Sequence, residues 1–239
     1  MAEPAREGGA RPFRLLVFDW DGTLADSTAI IANAIQQACR DLELPAPDDG
    51  SARFVIGLGL SDALRHVAPG LPAADYPRLS ERYRQHYLAR DPEIPLFPGA
   101  REMLDELDAR GFLLAVATGK SRVGLTRALQ QQGLAHRFVA TRCADEGMPK
   151  PHPDMLLALM DRCGVAPKET LMIGDTTHDL ELARNAGASA VAVTYGAHPL
   201  AGLAGLSPLA TLASIGELAA WFRVNARVPD NPARSSDYT

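Results

Sequence analysis

Five short apolar runs constrain the fold of this chain more than any other feature. They read LLVF at 15–18, FLLAVA at 112–117, RFVAT at 137–141, LMIG at 171–174 and SAVAVTY at 189–195. Continuous apolar runs of this length are typical of strands buried on both faces of a parallel sheet. From residue 97 onward they alternate with helical patterns, which predicts an α/β fold with a parallel sheet flanked by helices.

The segments between these runs carry helix start and stop signals. Ser121 can cap one helix, and Pro153 stands at the start of another that Gly164 ends. Crossover helices are therefore expected over 100–110, 122–132, 154–163 and 177–186.

Residues 28–94 interrupt the alternation, because they contain no convincing strand. Ile30, Ile31, Ala34 and Ile35 recur at helical spacing, Ser27 or Thr28 can cap the start of this helix, and it ends before Pro45. Shorter helices are expected over 61–68 and 74–90. Such a long insertion does not suit a simple crossover, so it predicts a small all-helical domain beside the sheet.

The expected organisation has four parts. Residues 12–27 and 95–225 form the α/β core, and residues 28–94 form the helical domain. Residues 1–11 and 226–239 are rich in Pro, Gly, Ser and charge without periodicity, so they predict a disordered N-terminal tail and a flexible C-terminal tail.

Composition excludes several classes of partner. The 24 basic and 29 acidic side chains leave a net charge of −5, which favours neither nucleic acid nor an anionic membrane. Three cysteines without a CxxC pair predict no disulfide framework and a cytoplasmic protein. No run approaches the ~18 apolar residues of a membrane span. Either a monomer or a homodimer fits this composition.

The first strand ends in FDWDGTLADS, where Asp19 and Asp21 lie two positions apart and share one side of an extended segment. Two neighbouring carboxylates repel each other, and Mg²⁺ offsets such repulsion because it prefers oxygen ligands. A solvated turn would explain this segment alone equally well.

Three other segments add chemistry at the ends of predicted strands. Asp175 and Asp179 lie in GDTTHD, and Thr118 and Gly119 begin TGK, where a hydroxyl and backbone N–H groups can hold a phosphate. Lys150 is flanked by prolines that restrict its loop. Since ligands in open parallel sheets bind beyond the carboxyl ends of the strands, these groups are expected to meet there and to suit phosphoryl transfer.

The motifs DWDGT, TGK, KPHPD and GDTTHD, in this order between about residues 13 and 225, resemble those of the haloacid dehalogenase superfamily of phosphatases. The resemblance implies that Asp19 attacks phosphorus to form an aspartyl-phosphate and that Asp21 acts as general acid and base. It further implies that Thr118 and Lys150 hold the phosphoryl oxygens.

The same resemblance implies an Mg²⁺ cofactor. Its ligands would be the Asp19 carboxylate, the Asp21 backbone carbonyl and Asp175, with Asp179 as a direct ligand or as a partner of one. The helical insertion resembles the small cap that closes over the site in one branch of the superfamily, which would restrict substrates to small molecules.

Individual residues narrow the expected reaction to the hydrolysis of phosphate esters or anhydrides. Dehalogenases lack an acidic residue at the position of Asp21, and β-phosphoglucomutase relatives usually carry a hydrophobic residue at the position of Thr23. FDWDGTLADS, FPGAREMLDEL, AVATGKS and KPHPD are similar to phosphoglycolate-phosphatase-like members. Phosphoglycolate, a sugar phosphate, a nucleotide monophosphate and pyrophosphate remain open as substrates, and a mutase is less favoured.

Two alternatives belong to other classes of function. A receiver-type signalling module also combines clustered Asp, Thr, Lys and Mg²⁺, although it accepts phosphate at a middle strand and needs about half this length. A catalytically silent binding protein on the same fold is the other. Among further residues, Lys120 and Arg122 could equally approach the substrate or face water, and His152 and His178 are expected to be solvated or locally hydrogen-bonded.

Overall fold

The structure is a computed structural model that describes residues 10–229, and its centre is a six-stranded parallel sheet. The strands are β1 Arg11–Pro12, β2 Leu15–Phe18, β3 Leu113–Thr118, β4 Ala140–Cys143, β5 Thr170–Gly174, β6 Ser189–Val193, β7 Thr211–Leu212 and β8 Ala226–Arg227. The large sheet has the order β4-β3-β2-β5-β6-β7, with every neighbouring pair parallel. The predicted α/β fold with a parallel sheet flanked by helices is therefore confirmed.

Ten α-helices accompany the strands in residues 10–229. They are α1 Thr28–Asp41, α2 Asp49–Phe54, α3 Leu60–Val67, α4 Tyr76–Arg90, α5 Ala100–Ala109, α6 Arg122–Gln131, α7 Asp154–Cys163, α8 Thr177–Asn185, α9 Leu200–Ala204 and α10 Ile215–Asn225. Alternate side chains of β2 point to opposite faces of the sheet. Leu16 and Phe18 pack with α5, α6 and α10, whereas Leu15 and Val17 pack with α7 and α8.

The start and stop signals of the crossover helices act as predicted. The Ser121 side chain accepts a hydrogen bond from the backbone N–H of Gly124 at the start of α6. Helix α7 follows Pro153 directly and ends at Gly164, whose φ of +61° is the left-handed conformation that favours glycine. The strand expected over 137–141 begins later, at Ala140, because a 3₁₀ turn occupies Ala135–Arg137.

Between residues 28 and 94 the structure contains α1 to α4 and short 3₁₀ turns. The periodicity predicted α1, α3 and α4, but it did not reveal α2, a helix of 6 residues. Ile30, Ile31 and Ile35 of α1 pack against residues of α3 and α4 in a hydrophobic cluster largely separate from those of the sheet. A separate cluster is what the predicted helical domain requires, although the division into domains stays a prediction.

The chain ends differ from the expected tails where the structure describes them. Arg11 and Pro12 pair in parallel with Ala226 and Arg227, and the Arg110 guanidinium donates to the Ala226 carbonyl at 2.7 Å. Residues 11, 226 and 227 were therefore wrongly assigned to tails, because contacts distant in sequence fix them. Residues 1–9 and 230–239 lie outside the described residues.

The sheet topology determines where functional groups can meet. Strands β3 and β4 lie on one side of β2, whereas β5, β6 and β7 lie on the other. The order therefore reverses between β2 and β5, whose pairing places Phe18 opposite Ile173. Asp19 and Asp175 follow these strands directly, so they lie at the crevice that binds ligands in open α/β sheets.

Candidate active site

Three buried carboxylates lie together at the switch point. One carboxylate oxygen from each of Asp19, Asp175 and Asp179 lies within 4.8 Å of the other two, and each of the three residues has 0% relative exposure. The sequence predicted this meeting from the strand ends. The structure places three of the four expected metal-associated residues in this cluster, and the Asp21 carboxylate lies outside the cluster.

Asp175 is held rigidly. One carboxylate oxygen accepts the Thr23 hydroxyl and the other accepts the backbone N–H of Ala197, both at 2.7 Å. Gly22 and Gly196 pack so closely that a Cβ atom on either would collide with the Asp175 carboxylate. Glycine at these two positions therefore leaves the space that the carboxylate occupies.

Asp179 has both of its oxygens engaged. As the third residue of α8 it completes a capping box with Thr176: one oxygen accepts the Thr176 backbone N–H at 3.0 Å and the Thr176 hydroxyl at 2.7 Å. The other oxygen accepts from Lys150 Nζ at 2.6 Å. Of the two roles expected for Asp179, this geometry favours the partner over the direct metal ligand.

Lys150 lies between two of the carboxylates. Its Nζ is 2.9 Å from Asp19 Oδ1 and 2.6 Å from Asp179 Oδ1, with no side-chain exposure. Burial alone would lower the pKa of Lys150, but the charges of Asp179 and Asp19 outweigh it and raise the pKa. Lys150 is therefore a fixed cation at neutral pH.

The charges of the cluster are not balanced by the protein. Burial raises the pKa of Asp19 well above its usual range. The charge of Lys150 opposes this rise in pKa, whereas the charges of Asp179 and Asp175 add to it. Burial and the charge of Asp179 raise the pKa of Asp175 to about 7. Neither oxygen of Asp19 accepts a well-aligned hydrogen bond, despite the proximity of Lys150. One lysine among three buried carboxylates leaves a negative site with oxygen donors, which fits a divalent cation such as Mg²⁺.

Asp21 belongs to a second group of residues, at the edge of a cavity. Its Oδ1 accepts the Ser27 hydroxyl at 2.6 Å and lies 3.1 Å from Lys120 Nζ. Ser27 stands at the predicted N-cap of α1 but makes no capping bond, because its hydroxyl binds Asp21 instead. Of the two residues that the sequence offered as caps, Ser27 occupies the N-cap position and Thr28 begins the helix, and no side-chain capping bond forms.

Thr118 ends β3 beside these groups, and Gly119 follows it. The Thr118 hydroxyl oxygen accepts the backbone N–H of Lys120 at 3.2 Å, and Thr118 is fully buried. A Cβ on Gly119 would lie 2.6 Å from the Gly57 carbonyl oxygen and 2.5 Å from that of Leu58. The loop between α2 and α3 thus packs directly against the predicted phosphate-binding turn.

Lys120 contacts a residue that the sequence did not single out for the site. Its Nζ donates to the Tyr87 hydroxyl at 2.6 Å. Only 7% of Tyr87 is exposed, and its spacing of four from Tyr83 was the signal in the sequence that places both rings on one face of α4. Arg122, by contrast, is engaged by Glu146 and Thr141, so the structure does not place its guanidinium in the site.

Two histidines join the helical segment to the sheet. The Nε2 atoms of His178 and His198 each lie 2.9 Å from the Phe54 carbonyl oxygen at the end of α2. His198 Nδ1 also accepts the backbone N–H of Thr177 at 3.1 Å. The expectation of local hydrogen bonding for His178 is confirmed, whereas solvation is not, since both rings are buried.

A cavity of about 770 Å³ opens from Asp21 between the helical segment and the sheet. Its walls come from α1, α3, α4, the loop after α2 and the start of α6. They include Gly119 and Lys120, so the predicted phosphate-binding turn borders the cavity. The fold and the site together therefore define an enzyme-like α/β protein with an acidic, cation-fitting centre at its switch point.

Known proteins identify the family. The sequence model described as haloacid dehalogenase-like hydrolase matches residues 16–193. A probable phosphatase, IndB of Dickeya dadantii, is 40% identical over 191 residues, which cover 77% of this chain and 82% of that protein. A phosphoglycolate phosphatase of Mannheimia succiniciproducens is 32% identical, over 77% of this chain and 87% of that one. The chain belongs to the haloacid dehalogenase-like hydrolases, as its motifs predicted.

Solved structures agree with this assignment. A hydrolase from Pseudomonas syringae superimposes with a TM-score of 0.81 at 26% identity, covering 89% of this chain and 98% of that one. The prediction of a hydrolase of this family is confirmed. In residues 10–229, no helix has both the length and the apolar character needed to cross a bilayer.

Proposed function

We propose that this protein is a cytoplasmic Mg²⁺-dependent phosphatase that hydrolyses small-molecule phosphate monoesters through an aspartyl-phosphate on Asp19. The observation that carries the proposal is the state of the Asp19 carboxylate. It is fully buried, it has no well-aligned hydrogen bond, and it lies 2.9 Å from the Lys150 cation. A buried carboxylate that is held near one cation but accepts no well-aligned hydrogen bond keeps lone pairs for an electrophile.

In the first step an Asp19 oxygen attacks phosphorus, so that an O–P bond forms while the bond to the leaving oxygen breaks. Asp21 gives its proton to that oxygen, and the alcohol departs. Asp21 then takes a proton from water, whose oxygen attacks the phosphorus and releases Asp19 as a carboxylate. The position of Asp21 at the cavity edge, held by Ser27 and Lys120, supports this role.

The phosphoryl oxygens would be held by the Thr118 hydroxyl, the backbone N–H of Gly119 and the Lys150 ammonium. Asp179 is assigned to positioning Lys150, because both of its oxygens already accept hydrogen bonds. Mg²⁺ would be bound by Asp19, Asp175 and the Asp21 backbone carbonyl, and when bound it neutralises charge on the phosphoryl group.

Residues 28–94 are proposed as a cap that covers the site and excludes water. Contacts of Tyr87 with Lys120 and of Phe54 with both histidines support closure onto the sheet. The names of several relatives make 2-phosphoglycolate the first substrate to consider.

The test is phosphate release from a panel of phosphate monoesters and pyrophosphate, with Mg²⁺ and with chelator. Wild type is compared with Asp19→Asn and with Asp26→Asn, a matched exchange at an exposed position. The proposal expects turnover that needs metal, is lost in Asp19→Asn and persists in Asp26→Asn. Turnover that survives Asp19→Asn would contradict the covalent mechanism, and folded protein without any turnover would contradict the phosphatase.

A further inference from the structure

The cavity beside Asp21 is much larger than the leaving group of phosphoglycolate. Its volume of about 770 Å³ falls in the range of roughly 300–1,000 Å³ that holds drug-sized ligands. Glycolate has only a handful of non-hydrogen atoms, each with a share comparable to the ~30 Å³ of a water molecule. A glycolate ester would leave most of the cavity to solvent.

The walls of the cavity are predominantly apolar. Ile35 comes from α1, Ile56 from the loop after α2, Leu60 from α3 and Val123 from α6, and Tyr83 of α4 adds an aromatic ring. The Tyr83 ring stacks on Tyr87 with centroids 5.8 Å apart. Side chains from four separate helices and a loop thus give one space a mainly apolar wall, to which Ser61, Asp62, Ser121 and Asp145 add polar groups.

The cations in the lining do not offer a partner for a carboxylate close to the reacting atoms. Lys120 is engaged by Asp21 at 3.1 Å and by Tyr87 at 2.6 Å, and Arg127 is engaged by Asp91. Arg84 has no ion pair among the described residues, but it is exposed to solvent. Binding a small carboxylate near Asp21 would require displacing Lys120 from the Tyr87 hydroxyl or Arg127 from Asp91, at a cost in desolvated charge.

We infer that the cavity holds the leaving group of the substrate and that this group is a bulky, uncharged, ring-bearing alcohol with a mainly apolar surface. The inference rests on the proposed phosphatase activity and specifies its substrate class. The ring would pack against Tyr83 and the aliphatic walls, while its ester oxygen faces Asp21. It replaces 2-phosphoglycolate as the expected substrate.

The first test compares three esters under identical metal conditions: 2-phenylethyl phosphate, ethyl phosphate and 2-phosphoglycolate. The two alkyl alcohols have similar leaving-group reactivity, so their ratio reports binding in the cavity. Burying a phenyl ring supplies roughly 2 kcal/mol, so kcat/KM for the phenylethyl ester should exceed that for ethyl phosphate about 30-fold. It should also exceed that for 2-phosphoglycolate.

The second test changes the cavity wall. Val123 is 72% exposed, so Val123→Lys should fold normally while placing a cation at the cavity. It should lower kcat/KM for 2-phenylethyl phosphate about 10-fold relative to 2-phosphoglycolate. Val139→Lys is the matched control, because Val139 is 49% exposed and lies outside the cavity lining; it should leave the ratio unchanged.

The outcomes separate the two proposals. If nothing in the wider panel of phosphate esters and pyrophosphate is hydrolysed, the phosphatase itself fails. If none of these three esters is hydrolysed while another substrate of the panel is, the phosphatase stands and the inference about the leaving group is overturned. If all three are hydrolysed in an Asp19-dependent manner but 2-phosphoglycolate is preferred, or if Val123→Lys leaves the ratio unchanged, the phosphatase stands and the inference about the leaving group is overturned.

Discussion

Asp19 carries a conflict between function and stability at the scale of one residue. Its carboxylate is fully buried, and burial is the main cause of its raised pKa. Ionising the Asp19 carboxyl group therefore costs more free energy in the folded protein than in the unfolded chain. Because the folded pKa lies above the unfolded value, the associated stability is present at low pH and is lost as the pH rises through the folded pKa.

Asp19→Asn should therefore stabilise the metal-free protein at pH 8 while abolishing activity. We expect a gain of about 1–2 kcal/mol, the usual cost of a buried group without adequate partners, and a smaller gain at pH 5 than at pH 8, because the raised pKa of Asp19 makes its destabilising effect grow as the pH rises. Thermal unfolding with chelator at both pH values measures this. A variant that is less stable than wild type at pH 8 would show that Lys150 compensates the charge of Asp19.

Two variants, one at Asp179 and one at Thr176, distinguish the positioning of Lys150 from the capping of α8. Asp179→Asn weakens the ion pair with Lys150, whereas Thr176→Ala removes only hydroxyl contacts of the cap. Both variants should lose about 1 kcal/mol of unfolding free energy, as expected for a damaged N-cap. Only Asp179→Asn should lose kcat, by at least about 10-fold, since Lys150 then loses its fixed position.

Steady-state kinetics and urea unfolding of the two variants measure these effects. An equal loss of kcat in both variants would indicate that Asp179 acts only by capping α8.

At the scale of elements, the loop after α2 approaches Gly119 so closely that residue 119 has no room for a Cβ atom. An alanine there would meet the carbonyl oxygens of Gly57 and Leu58 at 2.5–2.6 Å, and backbone cannot yield as a flexible side chain does. Gly119→Ala should push the helical segment away from the sheet, cost about 1–3 kcal/mol by overpacking and raise KM.

Gly216→Ala is the control for this prediction. A Cβ there would lie 3.7 Å from Ser214 Oγ, an ordinary contact, on an exposed position of α10. Alanine should be neutral or slightly stabilising in this helix. Denaturant unfolding and substrate titration of both variants test the pair, and an unchanged KM in Gly119→Ala would indicate that the loop does not pack there in solution.

The elements that the sequence revealed are those whose own pattern determines them. Strands β2, β3, β5 and β6 are buried on both faces and were visible as apolar runs, and α7 was bounded by Pro153 and Gly164. Helices α2 and α9 and strands β1, β7 and β8 were not visible, because elements of two to six residues carry too little periodicity. Helix α10, with 11 residues, was not predicted either. Contacts from distant parts of the chain fix them.

At the scale of the whole molecule, the site likewise combines residues that a local sequence pattern predicts with residues that only distant contacts bring into place. Asp19, Asp175 and Lys150 could be placed from strand ends, because parallel topology brings those ends together. Tyr87, Ser27 and the Phe54 carbonyl could not be placed. Their roles depend on how the helical segment packs against the sheet, and no local pattern encodes that packing.

The junction between the helical segment and the sheet should weaken in acid. Burial is the main cause that lowers the pKa of His178 and of His198, and His198 must be neutral at Nδ1 to accept the Thr177 N–H. A group with a lowered folded pKa contributes stability above its unfolded pKa and loses it as the pH falls through the folded pKa. The histidines should therefore destabilise the fold below about pH 6.5.

The raised pKa values of Asp19 and Asp175 make the free energy of unfolding fall as the pH rises, which is opposite to the effect of the histidines. The contribution of the histidines is therefore measured as the difference in pH dependence between wild type and a variant without them. The double variant His178→Gln and His198→Gln removes both titrating groups and keeps a side-chain N–H donor for the Phe54 carbonyl. Between pH 7.5 and 5.5 its unfolding free energy should fall less than that of wild type. His136→Gln changes an exposed histidine and should follow wild type. Equal pH dependence in the wild type and the double variant would mean that the junction opens before either histidine is protonated.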